Sequence, residues 1–163
     1  MGLDYLYDPS QQIVRFEGDV LREGIESANS LFVNDYEFEM IKKKTGMSLE
    51  EVLGHLKFMV LTLGPKGAVV YHRDGKESIG AVPTDKIVDP TGVGDAFRGG
   101  FLTGYRLGLD WRTCGELGSL AATYCLENDG PQGHRFEIKE FLTRYREHYK
   151  DEGRLDVLIN QKA

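Results

Sequence analysis

The chain has little that would tie it to a bilayer, a nucleic acid or an oxidising compartment. No apolar run approaches the ~20 residues that span a membrane. Its first residues, Met1-Gly2-Leu3-Asp4, lack the basic stretch of a secretion signal. There are only two cysteines, Cys114 and Cys125, in 163 residues. That is too few for a disulfide framework, and both read as free thiols in a reducing cytoplasm. Positive charge is in deficit, with 20 Lys and Arg against 26 Asp and Glu, a formal net charge of −6. This balance argues against a broad nucleic-acid or membrane surface but leaves room for a local anion site built from amides and one or two lysines. His55, His72, His134 and His148 show no metal-ligand spacing and read as surface or satisfied side chains. No internal repeat and no Pro/Gly/Ser-rich linker divides the chain, so one domain is expected over residues 1–163.

What is present is an alternation of short apolar runs and amphipathic stretches. Leu3 to Tyr7, Ser30 to Val33 and Phe58 to Leu63 read as strands. Ala68 to Arg73 and Lys76 to Val82 flank Asp74-Gly75, a strong hairpin turn. Between them lie helices over Glu17 to Ala28, with Val20, Leu21, Gly24, Ile25 and Ala28 inward, and from Asn34 to about Lys44. Another starts at Ser48. Asn34 with Glu37, and Ser48 with Glu51, have capping-box spacing. Later helices span Asp95 to about Leu107 (Phe97, Phe101 and Tyr105 inward), Thr113 to Leu126, and Glu137 to Lys150 (Ile138, Phe141, Leu142, Tyr145 and Tyr149 inward). Asp151 to Ala163 is polar, although Leu155, Val157, Leu158 and Ile159 could dock. The pattern implies an α/β layered domain with a mostly parallel sheet and an antiparallel hairpin at one edge.

Chemistry concentrates in Asp89-Pro90-Thr91-Gly92-Val93-Gly94-Asp95-Ala96-Phe97-Arg98-Gly99-Gly100. This stretch runs from a loop into a helix. Backbone N–H groups at a helix start lack intrahelical partners, and the macrodipole favours an anion there. Gly92 and Gly94 permit positive φ and close approach. A carboxylate at Asp95, beside such an anion site, suits a group that takes the proton from an attacking hydroxyl. The same residue also fits plain dipole complementation, and a lone Gly-x-Gly is weak, so spacing alone leaves the two readings even.

The full run, continuing through Phe101-Leu102-Thr103-Gly104, resembles the second signature of the ribokinase-like, or PfkB, family of carbohydrate and nucleoside kinases. Leu117-Gly118-Ser119-Leu120-Ala121-Ala122 and Gly130-Pro131-Gln132 look most like bacterial adenosine kinases. The resemblance implies a ribokinase-like fold and transfer of the ATP γ-phosphoryl group to a primary hydroxyl, most simply adenosine to AMP, with ribose, fructose or another sugar as alternative acceptors. It implies Asp95 as base and an anion hole of Gly92, Val93 and Gly94. It places Asn34, Thr62, Gly64, Lys66, Gly67 and Thr91 along ATP, and Glu37 at hydrated Mg²⁺. Asp89 and Thr91 match positions that help form a monovalent-cation (K⁺) site in several relatives. Asn34, Gly64 and Gly92 are each expected just after a strand, with their loops converging on one crevice.

Only Met1 to Val88 precede the signature, whereas family members carry a long N-terminal region with most substrate contacts and a lid. The chain thus resembles roughly the C-terminal half of such a kinase, with the substrate and lid portion absent. On that reading the isolated chain is inactive, or is a nucleotide-binding remnant or interaction domain, and an unpaired sheet edge at Leu3 to Tyr7 favours self-association.

Overall fold

The computed structural model describes residues 4–160. The chain forms two compact units, residues 1–78 and 79–163.

The first unit is built on a five-stranded sheet of order β1-β2-β3-β4-β5. Its strands are β1 (Leu6–Tyr7), β2 (Ser30–Asn34), β3 (Phe58–Thr62), β4 (Ala68–His72) and β5 (Gly75–Ile79). β1, β2 and β3 run parallel, and β4 returns antiparallel to β3. Leu31, Phe32 and Val33 are all buried, as a continuous apolar run requires when both faces are covered. Helices α1 (Gly18–Ser27), α2 (Asp35–Thr45) and α3 (Leu49–His55) supply Leu21, Ile25, Ile41 and Val52 to the core around Leu31, Val33 and Met59. Both capping boxes form: Asn34 and Ser48 each accept from the backbone N–H of the N3 glutamate, which reaches back to the cap residue's own N–H.

Two strand boundaries differ from expectation, each for a visible reason. Tyr5 accepts the Asn29 N–H at 3.0 Å but donates its own N–H to the Asn29 side chain at 3.0 Å, so regular pairing begins only at Leu6. The expected start, Leu3, lies outside the described residues. β5 ends at Ile79 rather than Val82, because helix side chains capture the next backbone groups. Ser119 Oγ donates to the Gly80 carbonyl at 3.0 Å and accepts from Val82 N–H at 3.2 Å, and Tyr149 Oη donates to the Gly80 carbonyl at 3.2 Å. Val20 is also exposed, since the buried stripe of α1 runs through Leu21, Ile25 and Ala28.

The second unit packs α4 (Val93–Arg106), α5 (Trp111–Leu126), α6 (Ile138–His148) and the short α7 (Asp156–Asn160). α4 and α5 cross closely. A Cβ on Gly100 would lie 2.5 Å from the Leu117 carbonyl oxygen, so the crossing needs glycine there. Leu117, Leu120, Tyr124, Phe141, Leu142, Tyr145 and Leu155 form the core. Tyr105 and Ile138, expected inward, are exposed; Tyr105 stacks on Trp111 at 5.7 Å between ring centroids. Val157 and Ile159 are exposed as well, while Leu155 docks fully. Cys114 and Cys125 are buried free thiols, as the composition suggested.

Glu127, just past α5, ties loop and helix together. It accepts from Arg144 at 2.7 and 2.5 Å and from the Thr84 hydroxyl at 2.6 Å. The hydrogen bonds from Arg144 hold its carboxyl below the ordinary value of 4.5. A carboxyl depressed in the folded state stabilises at pH above its unfolded value, and that contribution disappears as pH falls through the folded value. The unit should therefore lose stability below about pH 4.5, and Glu127→Gln should flatten that part of a pH–denaturation curve. An unchanged acid limb would show that the pair contributes nothing.

Candidate active site

In the first unit, the candidate residues lie at the carboxyl ends of adjacent parallel strands. Asn34 ends β2 and Thr62 ends β3, and the two are directly paired. Asn34 caps α2, accepting from Glu37 N–H at 2.7 Å, while Glu37 Oε2 accepts from Asn34 N–H at 2.8 Å. Glu37 is buried. Its Oε1 takes no part in the capping box. After β3 the chain makes a single 3₁₀ turn, Gly64–Lys66. The turn is closed by Leu63 N–H to the Gly67 carbonyl at 2.8 Å and Gly67 N–H to the Gly64 carbonyl at 2.9 Å. Lys66 is exposed at its apex.

In the second unit, Gly92 is the N-cap of α4 with φ 80° and ψ 0°. No side chain caps this terminus. A Cβ on Gly92 would lie 2.4 Å from Pro131 Cβ, so Pro131 presses directly on the turn. Above Gly94 the space is open: among the described residues an added Cβ would meet only the Arg98 guanidinium, at 3.9 Å. Val93 N–H has a long bond to the Pro90 carbonyl at 3.3 Å, which makes it a weaker contributor to the expected anion hole than its neighbours. Asp95 sits in the first turn, 77% exposed, and ion-pairs with Arg98. Gly92 does not directly follow a strand, contrary to expectation, because residues 80–92 form none.

Asp89 Oδ1 accepts from Thr91 N–H at 2.8 Å, and Oδ2 accepts from Gly130 N–H at 3.1 Å. Hydrogen bonds from Thr91, side chain and backbone, and then from Gly130, hold the Asp89 carboxyl below its usual range. The Thr91 carbonyl accepts from the Cys125 thiol at 3.5 Å. Burial foremost, with Asp89 and Asp95 nearby, pushes that thiol up. Among the described residues no group of three or more His, Cys, Asp or Glu is arranged to hold a metal by itself.

An uncapped helix N-terminus with a left-handed glycine, open space above the next amides and a carboxylate in the first turn can hold a phosphate beside a base. The family model described as pfkB family carbohydrate kinase matches residues 4–136. The chain belongs to this family. A nucleoside kinase of Methanocaldococcus jannaschii is 36% identical over 126 residues, which cover 77% of this chain and 42% of that protein. The solved nucleoside kinase of Burkholderia thailandensis in complex with inosine superposes with a TM-score of 0.88 at 40% identity, covering 91% of this chain and 49% of that one. The same protein was solved in complex with ADP-inosine. An adenosine kinase of Saccharomyces cerevisiae is 36% identical over a shorter stretch, 77 residues. The chain spans about half the length of the PfkB relatives it matches.

The fold is the family's ribokinase-like α/β fold, with a five-stranded, mostly parallel sheet flanked by helices. Among the described residues no helix is long and apolar enough to cross a membrane. His134 departs from the expectation of a satisfied histidine: its Nδ1 is buried without a hydrogen-bond partner among the described residues. Arg98 is the side chain that sequence reasoning passed over. The signal was its spacing, three residues after Asp95 on a helix, which puts the two on one face.

Proposed function

We propose that this chain carries the phosphate-handling part of an ATP-dependent nucleoside kinase, with a purine nucleoside as acceptor and adenosine among its substrates. The observation that carries this reading is the α4 terminus, where Gly92 is left-handed, Gly94 is open and Asp95 lies beside Arg98. Purine nucleosides are favoured because the Burkholderia relative was solved with inosine.

On this reading the acceptor's 5′-hydroxyl gives its proton to the Asp95 carboxylate as its oxygen attacks the γ-phosphorus. The bond from that phosphorus to the β,γ-bridging oxygen breaks, and ADP leaves. Negative charge on the transferring phosphoryl oxygens meets the Gly94 and Asp95 amides, the α4 dipole and the Arg98 guanidinium. Bound Mg²⁺ would supply charge neutralisation at the phosphates, held near Glu37 through water. In the first unit, Asn34, Thr62, Gly64, Lys66 and Gly67 border the nucleotide, with Lys66 as an exposed point charge. The experiment is phosphoryl transfer by the protein in its native form, purified from its source, to adenosine, inosine, cytidine, ribose and fructose, read as appearance of the monophosphate. Turnover confined to sugars would overturn the nucleoside reading, and none with any acceptor would overturn the kinase reading.

The chain's half-length match to its relatives favours a second statement about the 163 residues by themselves. They bind nucleotide weakly but turn over slowly, because transfer needs the acceptor held to within about 1 Å and water excluded by a lid. β1, a two-residue edge strand, offers its outer side to another chain. The isolated chain should therefore self-associate in sedimentation and release little ADP with adenosine. Monomers with robust adenosine-dependent turnover would contradict both points.

A further inference from the structure

The resemblance to PfkB kinases assigns Asp89 and Thr91 to a monovalent cation, yet in this chain their oxygens are engaged by the protein. Both Asp89 carboxylate oxygens accept backbone N–H groups, at 2.8 Å from Thr91 and 3.1 Å from Gly130. The Thr91 carbonyl accepts the Cys125 thiol. Two N–H dipoles turn their positive ends toward the carboxylate, so part of its hydrogen-bonding capacity is met from within the second unit.

We infer that Asp89 is a positioning residue that locks the phosphate-binding turn to the Gly130-Pro131 turn by hydrogen bonds, and that this lock works without a monovalent cation. Three further contacts make the two turns one interlocked piece. Val88 and Asp89 N–H both donate to the Leu126 carbonyl, at 2.9 and 3.3 Å, which pins the backbone of Asp89 to the end of α5. Pro131 lies against Gly92, where even a methyl group would collide. Cys125 Sγ lies 3.5 Å from the Thr91 carbonyl oxygen and 4.0 Å from that of Pro131, beneath the junction. The lock sets the direction of the Gly94 and Asp95 amides. Asn at position 89 accepts through one oxygen only, so one of the two backbone N–H groups would lose its partner.

This inference rests on the phosphate-binding reading of α4, and the test separates the two. ATP–Mg²⁺ affinity of the protein is measured by calorimetry in potassium chloride and in choline chloride at equal ionic strength, for wild type and Asp89→Asn. Maleimide labelling of Cys125 is followed without nucleotide, with Cys114, buried near the other end of α5, as internal reference. The expected result is wild-type affinity equal within twofold in the two salts. Asp89→Asn should bind about tenfold more weakly, the loss expected of one hydrogen bond to a charged group. It should label Cys125 several-fold faster while Cys114 stays at its wild-type rate. A tenfold loss of wild-type affinity in choline would overturn the inference, as would wild-type labelling of Cys125 in Asp89→Asn. If both cysteines label faster together the variant has unfolded, and the salt comparison on the wild type decides. Undiminished ATP binding by Gly92→Val would instead remove the phosphate-binding reading, while the labelling arm still tests the lock.

Discussion

Gly92→Val should abolish detectable ATP–Mg²⁺ binding while leaving the helices of the second unit formed. Two independent penalties act at this residue. Its φ of 80° lies in the left-handed region, which costs an ordinary residue about 1–2 kcal/mol and a β-branched one more. The Cβ would also stand 2.4 Å from Pro131 Cβ and 2.8 Å from its Cα, a contact that backbone must move to relieve. Relief means pushing the turn away from Pro131 and rotating the first amides of α4, the groups proposed to face phosphate. The stability cost is bounded by Gly92 being only partly buried and at a helix end. The effect should therefore appear in binding by calorimetry before it appears in circular dichroism. Equal affinity in wild type and variant would mean that the α4 terminus is not the phosphate cradle.

Asp95→Asn should give the second largest effect, in rate and not in affinity. In the native enzyme turnover should fall by about 10²-fold or more, within the range for loss of a positioned general base. The KM for ATP should change little, because the amides proposed to hold phosphate belong to the backbone. Asp95 is 77% exposed and pairs with Arg98 of its own helix, so folding should survive. The Arg98 ion pair sharpens the test. If Asp95 served only to complement the α4 dipole, its removal would lower the melting temperature slightly and leave the rate intact. If it serves as base, Asp95→Asn and Asp95→Ala should both be slow. Arg98→Met should raise the KM for ATP as well as slow transfer, since it removes a cation from beside the proposed phosphate site. Near-normal turnover in Asp95→Asn would take the base role away from this residue.

The amino-acid sequence by itself determined the elements whose signals lie within a few residues. Asn34 with Glu37 and Ser48 with Glu51 announced two helix starts, and both boxes close. Asp74-Gly75 announced the hairpin between β4 and β5. The signature from Asp89 to Gly100 announced the family and a helix expected from Asp95, which in the structure begins two residues earlier, at Val93, with Gly92 as its N-cap. Tertiary structure alone decided what depends on distant partners. β5 stops at Ile79 because Ser119 and Tyr149, 39 and 69 residues beyond Gly80, take that residue's carbonyl. The Asp89 carboxylate meets the Gly130 N–H, 41 residues away, and so joins two turns that lie far apart along the chain. Local pattern encodes caps, turns and periodicity because their energies are settled within one or two helical turns. The partner of a carboxylate or a carbonyl is settled by whichever group the packed chain brings within 3 Å, and no spacing along the sequence announces that.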